Sequence, residues 1–308
     1  ILVGGAALSP AFSYGRIQPA YPGRVAYARD AMHGLDLAAR FRDVDRRPAL
    51  EAELDTERVK AEKARAAKVQ AAAGRAAPTG GGGRRAVAAP GTPPLDPVVL
   101  QEIDLDQVWP WLNPQMLDGK HLGLKGSVTK LAAAGDAKYR MLEAAVEAMQ
   151  TTARAGGMRV RGVYRFLPAA AHAEQVRVFD PGTGDELARF TFPRQTRGEG
   201  LCLADFVGES DDHVGFFVVT AGEGIREQVG RLREEGHYLE SHVLGALAVE
   251  TAEAAAEWLH AELRRQWGFP DPSSMSMADR FRTAYRGARY SFGYPACPDL
   301  EEQTKLFS

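Results

Sequence analysis

The sequence predicts an α+β protein whose larger part carries a twisted antiparallel sheet with flanking helices, preceded by a short stretch with the alternation of a doubly wound α/β sheet. Three observations lead there. Apolar segments between residues 158 and 192 are linked by a hairpin signal rather than by helices. The longest periodic segment, residues 238–267, reads as a helix. A Gly- and Pro-rich stretch separates both from an opening strand–helix–strand–helix pattern.

In the opening pattern, Ile1 to Val3 reads as the end of a buried strand, Pro10 to Tyr14 as a short helix and Arg24 to Ala28 as an edge strand. Asp30 is placed to cap a helix through Phe41, with Ala31, Leu35, Ala38 and Ala39 among its apolar positions. Residues 1–41 are too few to close a doubly wound sheet, and Ile1 follows neither an initiator Met nor a signal segment, so the expectation is that part of a domain lies upstream. From Arg42 to Arg75 charges of both signs crowd an Ala-rich run whose main large apolar residues are Leu50, Leu54 and Val59, the pattern of a solvated helix with a narrow contact stripe. Pro78, Gly80 to Gly83, Pro90, Pro93, Pro94 and Pro97 then mark a flexible linker, in which Arg84 and Arg85 read as solvated charges. The expected division is 1–41, 42–97 and 98–308.

Beyond the linker, helical turns are expected around Leu105 to Leu117 and an amphipathic helix from Lys138 to Ala155 with Met141, Ala145 and Met149 on one side. Strands follow at Met158 to Leu167, Gln175 to Asp180 and Leu187 to Phe192, the last two flanking the turn Pro181-Gly182-Thr183-Gly184, and another at Val214 to Thr220. The helix from Tyr238 to Trp267 spaces Val243, Leu247, Ala255, Leu259 and Leu263 mostly by four residues.

Composition narrows the function classes. With 38 basic against 40 acidic residues the net charge is −2, which calls for neither a nucleic acid nor an anionic membrane. No apolar run approaches the ~18 residues of a membrane helix. Two distant cysteines, Cys202 and Cys297, fit a reducing, cytoplasmic setting.

Few residues offer chemistry. Gly222 and Gly224, between an apolar strand and a charged helix, have the order of a nucleotide-phosphate loop, but Glu223 would repel a pyrophosphate, and a plain strand-to-helix turn explains them better. The histidines make no zinc-like pair with a cysteine, so no metal site is expected, and Cys297 has no base visible beside it. Glu250, Glu253 and Glu257 form a stripe of the kind that usually faces solvent. The segment from Arg289 to Asp299 is different: Gly293, Pro295 and Pro298 forbid regular structure while Arg289, Tyr290 and Tyr294 concentrate there. That is the composition of a ligand loop, since a guanidinium fork suits a carboxylate and glycine admits a close backbone approach; a rigid surface turn is the alternative.

Arg289-x-x-x-Gly293-Tyr294 followed by Pro-Ala-Cys-Pro resembles the S-adenosylmethionine motif in the activation domain of the cobalamin-dependent methionine synthase family. Cys202-Leu-Ala-Asp-Phe206, the Gly-Phe-Phe-Val-Val-Thr strand, Glu257-Trp-Leu-His260 and Trp109-Pro-Trp-Leu-Asn113 extend the resemblance from about Leu95 to the end. Residues 1–41 are similar to the last part of the family's cobalamin domain, with Gly4-Gly5 and Ala31 at cofactor-contacting positions. The resemblance implies a methyltransferase that carries a methyl group from methyltetrahydrofolate to homocysteine through cobalamin. This portion would hold S-adenosylmethionine while a flavodoxin-like or flavoprotein reductant reactivates the oxidised cofactor. Position by position, it implies Arg289 on the methionine carboxylate, the backbone near Ser291 and Gly293 with the side of Tyr294 completing the loop, Asn113 near the ligand ammonium, and Glu253 close by. No protein acid or base is implied. The family's cobalt-coordinating His motif, its zinc and its folate and homocysteine modules lie in no part of these residues, and Ser308 precedes a segment that returns to the adenosyl site. The expectation is a fragment unable to run the whole reaction. The rival readings are a protein-docking module and a nucleotide-binding enzyme using Gly222 and Gly224.

Overall fold

The computed structural model describes residues 1–4, 8–29, 31–73, 91–195 and 199–307, and leaves aside the side chains of 31–32 and 64–73. The cap at Asp30, the second glycine Gly5 and the linker residues 74–90 therefore lie outside the described residues, as does the side chain of Ala31. The chain divides into two compact units, Ile1–Thr79 and Gly80–Ser308.

In the first unit β1 (Leu2–Gly4) and β2 (Ala26–Ala28) pair in parallel, with Gly4 opposite Ala28. A Cβ at Gly4 would run into the Ala28 carbonyl, so the close approach of these strands requires glycine there. Ser9 accepts a hydrogen bond from the Phe12 amide at 3.2 Å and starts the helical turns that continue to Ala20. Helices α1 (Ala31–Arg42) and α2 (Arg47–Ala73) follow. Leu50 and Leu54 of α2 pack with Leu37 and Ala28, whereas Val59 is exposed. The expected buried strand at Ile1 to Val3 is corrected: Ile1 and Leu2 are half exposed, because β1 has a single strand neighbour among the described residues.

The second unit is α+β. Its sheet comprises β3 (Val98–Ile103), β4 (Val160–His172), β5 (Gln175–Phe179), β6 (Glu186–Thr191) and β7 (Asp212–Thr220), all pairs antiparallel. β4 is the axis. β7 pairs with it from Arg161 to Ala169, while β3 pairs with Val160 to Tyr164 and β5 with Ala169 to His172. Pro168 falls in the gap between the β3 and β5 pairings, where proline leaves no ladder bond unmade on that edge. Alternation along β4 changes phase at Phe166 and Leu167, both buried: Tyr164 and Phe166 pack with Leu259 and Leu263, whereas Leu167, Ala169 and Ala171 pack with Val176, Val178 and Phe190. One strand thus serves two cores. Gly215, opposite Phe166, makes room for its ring, since a Cβ there would come within 3.0 Å of it.

The helices cover one side of the sheet. Helix α3 (Ala137–Thr152) is capped by Asp136, and α4 (Ile225–Glu234) leads into the long α5 (Tyr238–Gln266). Val243, Leu247, Ala255, Leu259 and Leu263 of α5 are all buried, as their spacing predicts. For α3 the predicted face rotates: Leu142, Val146 and Met149 are buried and Met141 is half exposed, because the contact with α5 and the sheet uses the i, i+4, i+7 row starting at Leu142. β3 has no counterpart in the sequence reading, since its Pro-rich approach masked it. Among the described residues no helix is long and apolar enough to cross a membrane. Leu142→Ala is expected to cost about 2–5 kcal/mol and Met141→Ala less than about 0.5 kcal/mol, read as shifts in the urea unfolding midpoint.

Candidate functional site

Helix α5 buries charge. Glu250, Glu257, His260 and Arg264 are all at least nine-tenths buried, interleaved with alanines and leucines on the faces that meet the sheet and the helices. The expectation of a solvated glutamate stripe is thereby corrected for two of its three members: Glu250 and Glu257 are buried and paired, and Glu253 is exposed. A buried charge requires a partner, and each partner comes from a different segment. His121 Nε2 lies 2.8 Å from Glu250 Oε1. Arg289 Nη2 donates to Glu257 Oε2 at 3.1 Å. Arg264, 2% exposed, donates through Nε and Nη2 to both oxygens of Asp271 at 2.8 and 2.9 Å.

Asp271 also accepts from Arg280 Nε at 3.1 Å. Burial works to raise the Asp271 carboxyl, but the two guanidinium groups outweigh it and hold its pKa below the usual value. The Arg264 guanidinium lies 3.9 Å from the Tyr285 ring centre, and Tyr285 stands edge-on to His260 at 5.3 Å. Burial, with the Glu257 carboxylate second, pushes the Tyr285 hydroxyl up to about 12. Burial and the nearby Arg264 and Arg289 push His260 down to about 3, so its ring is neutral at ordinary pH. The strap from Asp271 to Arg289 is therefore fastened to α5 at three levels, two of them ionic.

At the end of this strap the sequence-predicted loop is tightly closed. Gly293 N donates to the Cys297 carbonyl at 2.8 Å and Cys297 N to the Tyr294 carbonyl at 2.9 Å. The buried Cys297 thiol donates to the Ser291 carbonyl at 2.9 Å, and burial pushes its pKa up. Gly293 has φ +88°, and a Cβ there would lie 2.9 Å from Leu300 Cδ2, so two constraints select glycine. Phe292 packs into the sheet core, whereas the Tyr294 side chain is exposed. The turn is thus held by its own hydrogen bonds and carries an exposed aromatic side chain five residues after a quarter-exposed guanidinium.

Arg289 and Glu253 come together, with Arg289 Nη2 at 3.9 Å from Glu253 Oε2. Asn113 has local work: its Oδ1 accepts from Gln115 N at 3.1 Å and from Met116 N at 3.4 Å, starting the helical turns to His121. Its neighbours are tied to the same framework, because Trp109 Nε1 donates to Thr251 Oγ1 at 3.1 Å and Arg280 lies 4.9 Å over Trp111. Gly222 and Gly224 do not form a βαβ phosphate loop: β7 runs antiparallel to β4, and Glu223 is paired with Arg161 at 3.1 Å. Sequence reasoning did not single out Arg264, Asp271 or Tyr285, and placed Glu257 at the surface. The available signal was spacing, since Glu250, Glu257, His260 and Arg264 recur at seven, three and four residues, the period of the buried leucines.

His260 makes the unit sensitive to acid. Its folded pKa of about 3 lies below the ordinary 6.5, so the unfolded chain takes up a proton first and stability falls as pH drops from about 6.5 toward 3. Unfolding free energies from urea titrations at pH 7 and 4 are expected to differ by about 3 kcal/mol in the parent and by clearly less in His260→Gln, in which Arg264, Arg289, Asp271 and Tyr285 still face the position.

The Vitamin B12 dependent methionine synthase activation domain family matches residues 110–308. The methionine synthase of Mycobacterium leprae (strain TN) is 29% identical over 346 aligned residues, covering 99% of this chain and 28% of that protein. That of Mycobacterium tuberculosis (strain ATCC 25618 / H37Rv) is 33% identical over 162 residues, 47% of this chain and 14% of that protein. The chain therefore spans under a third of the length of these relatives. The crystal structure of the MetH reactivation domain bound to AdoHcy shares the fold at a TM-score of 0.65 and 24% identity, over 72% of this chain and 73% of that one. With its long charged helix and closing Gly-Tyr-Pro turn both inside the matched range, the chain belongs to the family of vitamin B12-dependent methionine synthase activation domains.

Proposed function

We propose that this chain binds S-adenosylmethionine at the Arg289 loop and serves the reductive remethylation of oxidised cobalamin within a cytoplasmic methionine synthase. The observation that carries the reading is the guanidinium of Arg289, quarter-exposed and backed by α5, four residues before the closed Gly293-Tyr294 turn. An arginine so placed takes a carboxylate through two N–H groups. The family assignment and the AdoHcy-bound MetH neighbour support this choice of ligand.

In this reading Arg289 takes the methionine carboxylate, the backbone at Ser291 and Gly293 lines the ligand, and the side of Tyr294 lies against it. Glu253 attracts the ammonium group, and Asn113 contributes whatever acceptor capacity its cap leaves. The chain's part is positioning, since the methyl group and its leaving sulfur both belong to the ligand. Cobalamin, when bound to the full enzyme, supplies the cobalt that takes up the methyl group, and a flavodoxin-like or flavoprotein reductant supplies the electron. Gly4, Gly5 and Ala31 are assigned to the cobalamin side. Residues 1–41, 42–97 and 98–308 are taken as cobalamin-domain portion, tether and activation domain. The zinc, folate and homocysteine modules, and the methyl transfer that makes methionine, belong to the longer protein.

Calorimetric titration with S-adenosylmethionine tests the reading. Arg289→Ala is expected to weaken binding by about 2 kcal/mol or more, roughly 30-fold. Unchanged affinity in that variant removes the assignment, and a chain that binds no small molecule favours a docking module instead.

A further inference from the structure

We infer that Glu257 is the positioning residue for Arg289: it holds the guanidinium with one N–H committed to helix α5, so that the remaining N–H groups face a ligand carboxylate. This rests on the ligand reading above and adds to it a residue that the sequence placed at the surface.

Arg289 lies in a segment without regular secondary structure, so its backbone alone does not aim a long side chain. Both contacts with the helix run through Nη2, at 3.1 Å to Glu257 Oε2 and 3.9 Å to Glu253 Oε2. The two carboxylates are unequal. The side chain of Glu253 is 64% exposed, and water screens its attraction; that of Glu257 is 10% exposed, anchored between buried Ala256 and Leu259. A carboxylate stripped of water holds its counter-charge tightly, and Glu257 Oε1 is buried without a hydrogen bond of good geometry, so Arg289 is its main compensation. Glu257 has little freedom to turn elsewhere. Tyr285, packed on Arg264 and His260, lies against the same carboxylate, and Arg264 is itself held by Asp271. A guanidinium fixed on one side before the ligand arrives loses less rotational freedom on binding, and a bidentate contact demands that fixed angle.

A role in aiming Arg289 differs from a role in folding by the ligand group it affects. The chain is titrated with S-adenosylmethionine and with its decarboxylated analogue, which keeps the sulfonium and the adenosine but offers Arg289 no carboxylate. Glu257→Gln, nearly isosteric, is expected to weaken S-adenosylmethionine about tenfold while the analogue stays within about twofold of the parent value. In the Arg289→Ala background the same substitution is expected to add no further loss, which keeps the test open where Glu257→Gln alone lowers the melting temperature. A parent-like ratio between the two ligands in Glu257→Gln overturns the inference and leaves the ligand reading standing, whether both affinities hold or both fall. A further loss in the double variant overturns it as well. A parent chain that binds neither ligand overturns the ligand reading and this inference with it.

Discussion

The second unit is organised by the need to neutralise charge inside helix α5. A helix lined with alanine and leucine would pack against the sheet without difficulty, but this one also buries Glu250, Glu257 and Arg264, and an unpaired charge there would cost several kcal/mol. Each charge recruits a partner from outside the helix: His121 from the turns after Asn113, Arg289 from the closing loop and Asp271 from the first residues beyond the helix. The segments that carry the candidate ligand residues are thus the segments that satisfy the helix. Site geometry and helix burial are one problem with one solution.

The sheet provides the other fixed reference. β4 turns from one core to another at Phe166 and Leu167, so its first half lies under α5 and its second half under the hairpin and Phe292. The closing segment follows the same path. It leaves α5 through Asp271, Tyr285 and Arg289, then reaches the hairpin through Phe292 and Lys305, whose Nζ donates to the Arg189 carbonyl at 2.7 Å. The loop between Arg289 and Cys297 spans the two attachments, so its turn is held at both ends. That is the rigidity a binding loop needs when its task is to place a ligand rather than to react with it.

The titratable groups described around Arg289 are engaged in structure. The ionised groups around Arg289 are matched to each other, His260 is locked neutral, and the Cys297 thiol is raised in pKa and spent on a backbone carbonyl. None of these is poised for proton transfer or nucleophilic attack near neutral pH. Chemistry carried by the ligand suits such a frame, in which the protein contributes orientation and a fixed field.

Much of the fold was legible in the sequence because periodicity reports burial directly: the leucines of α5, the hairpin at Pro181 to Gly184 and the strand at Val214 to Thr220 all appear where their patterns put them. The loop was legible for a different reason, since glycine and proline at Gly293, Pro295 and Pro298 leave few backbone choices. Three things were not. β3 hid behind a proline-rich approach, the face of α3 turned by one residue, and the glutamates of α5 were read as solvated because local pattern treats charge as a mark of the surface. Only the tertiary structure decides which charges meet opposite charges, for the partners of Glu250, Glu257 and Arg264 lie between 7 and 129 residues away along the chain. The sequence by itself determined most of the elements and the composition of the loop; the tertiary structure decided that a buried carboxylate, Glu257, holds Arg289 at its start, because pairing across the fold is a property of distance in space and not of spacing along the chain.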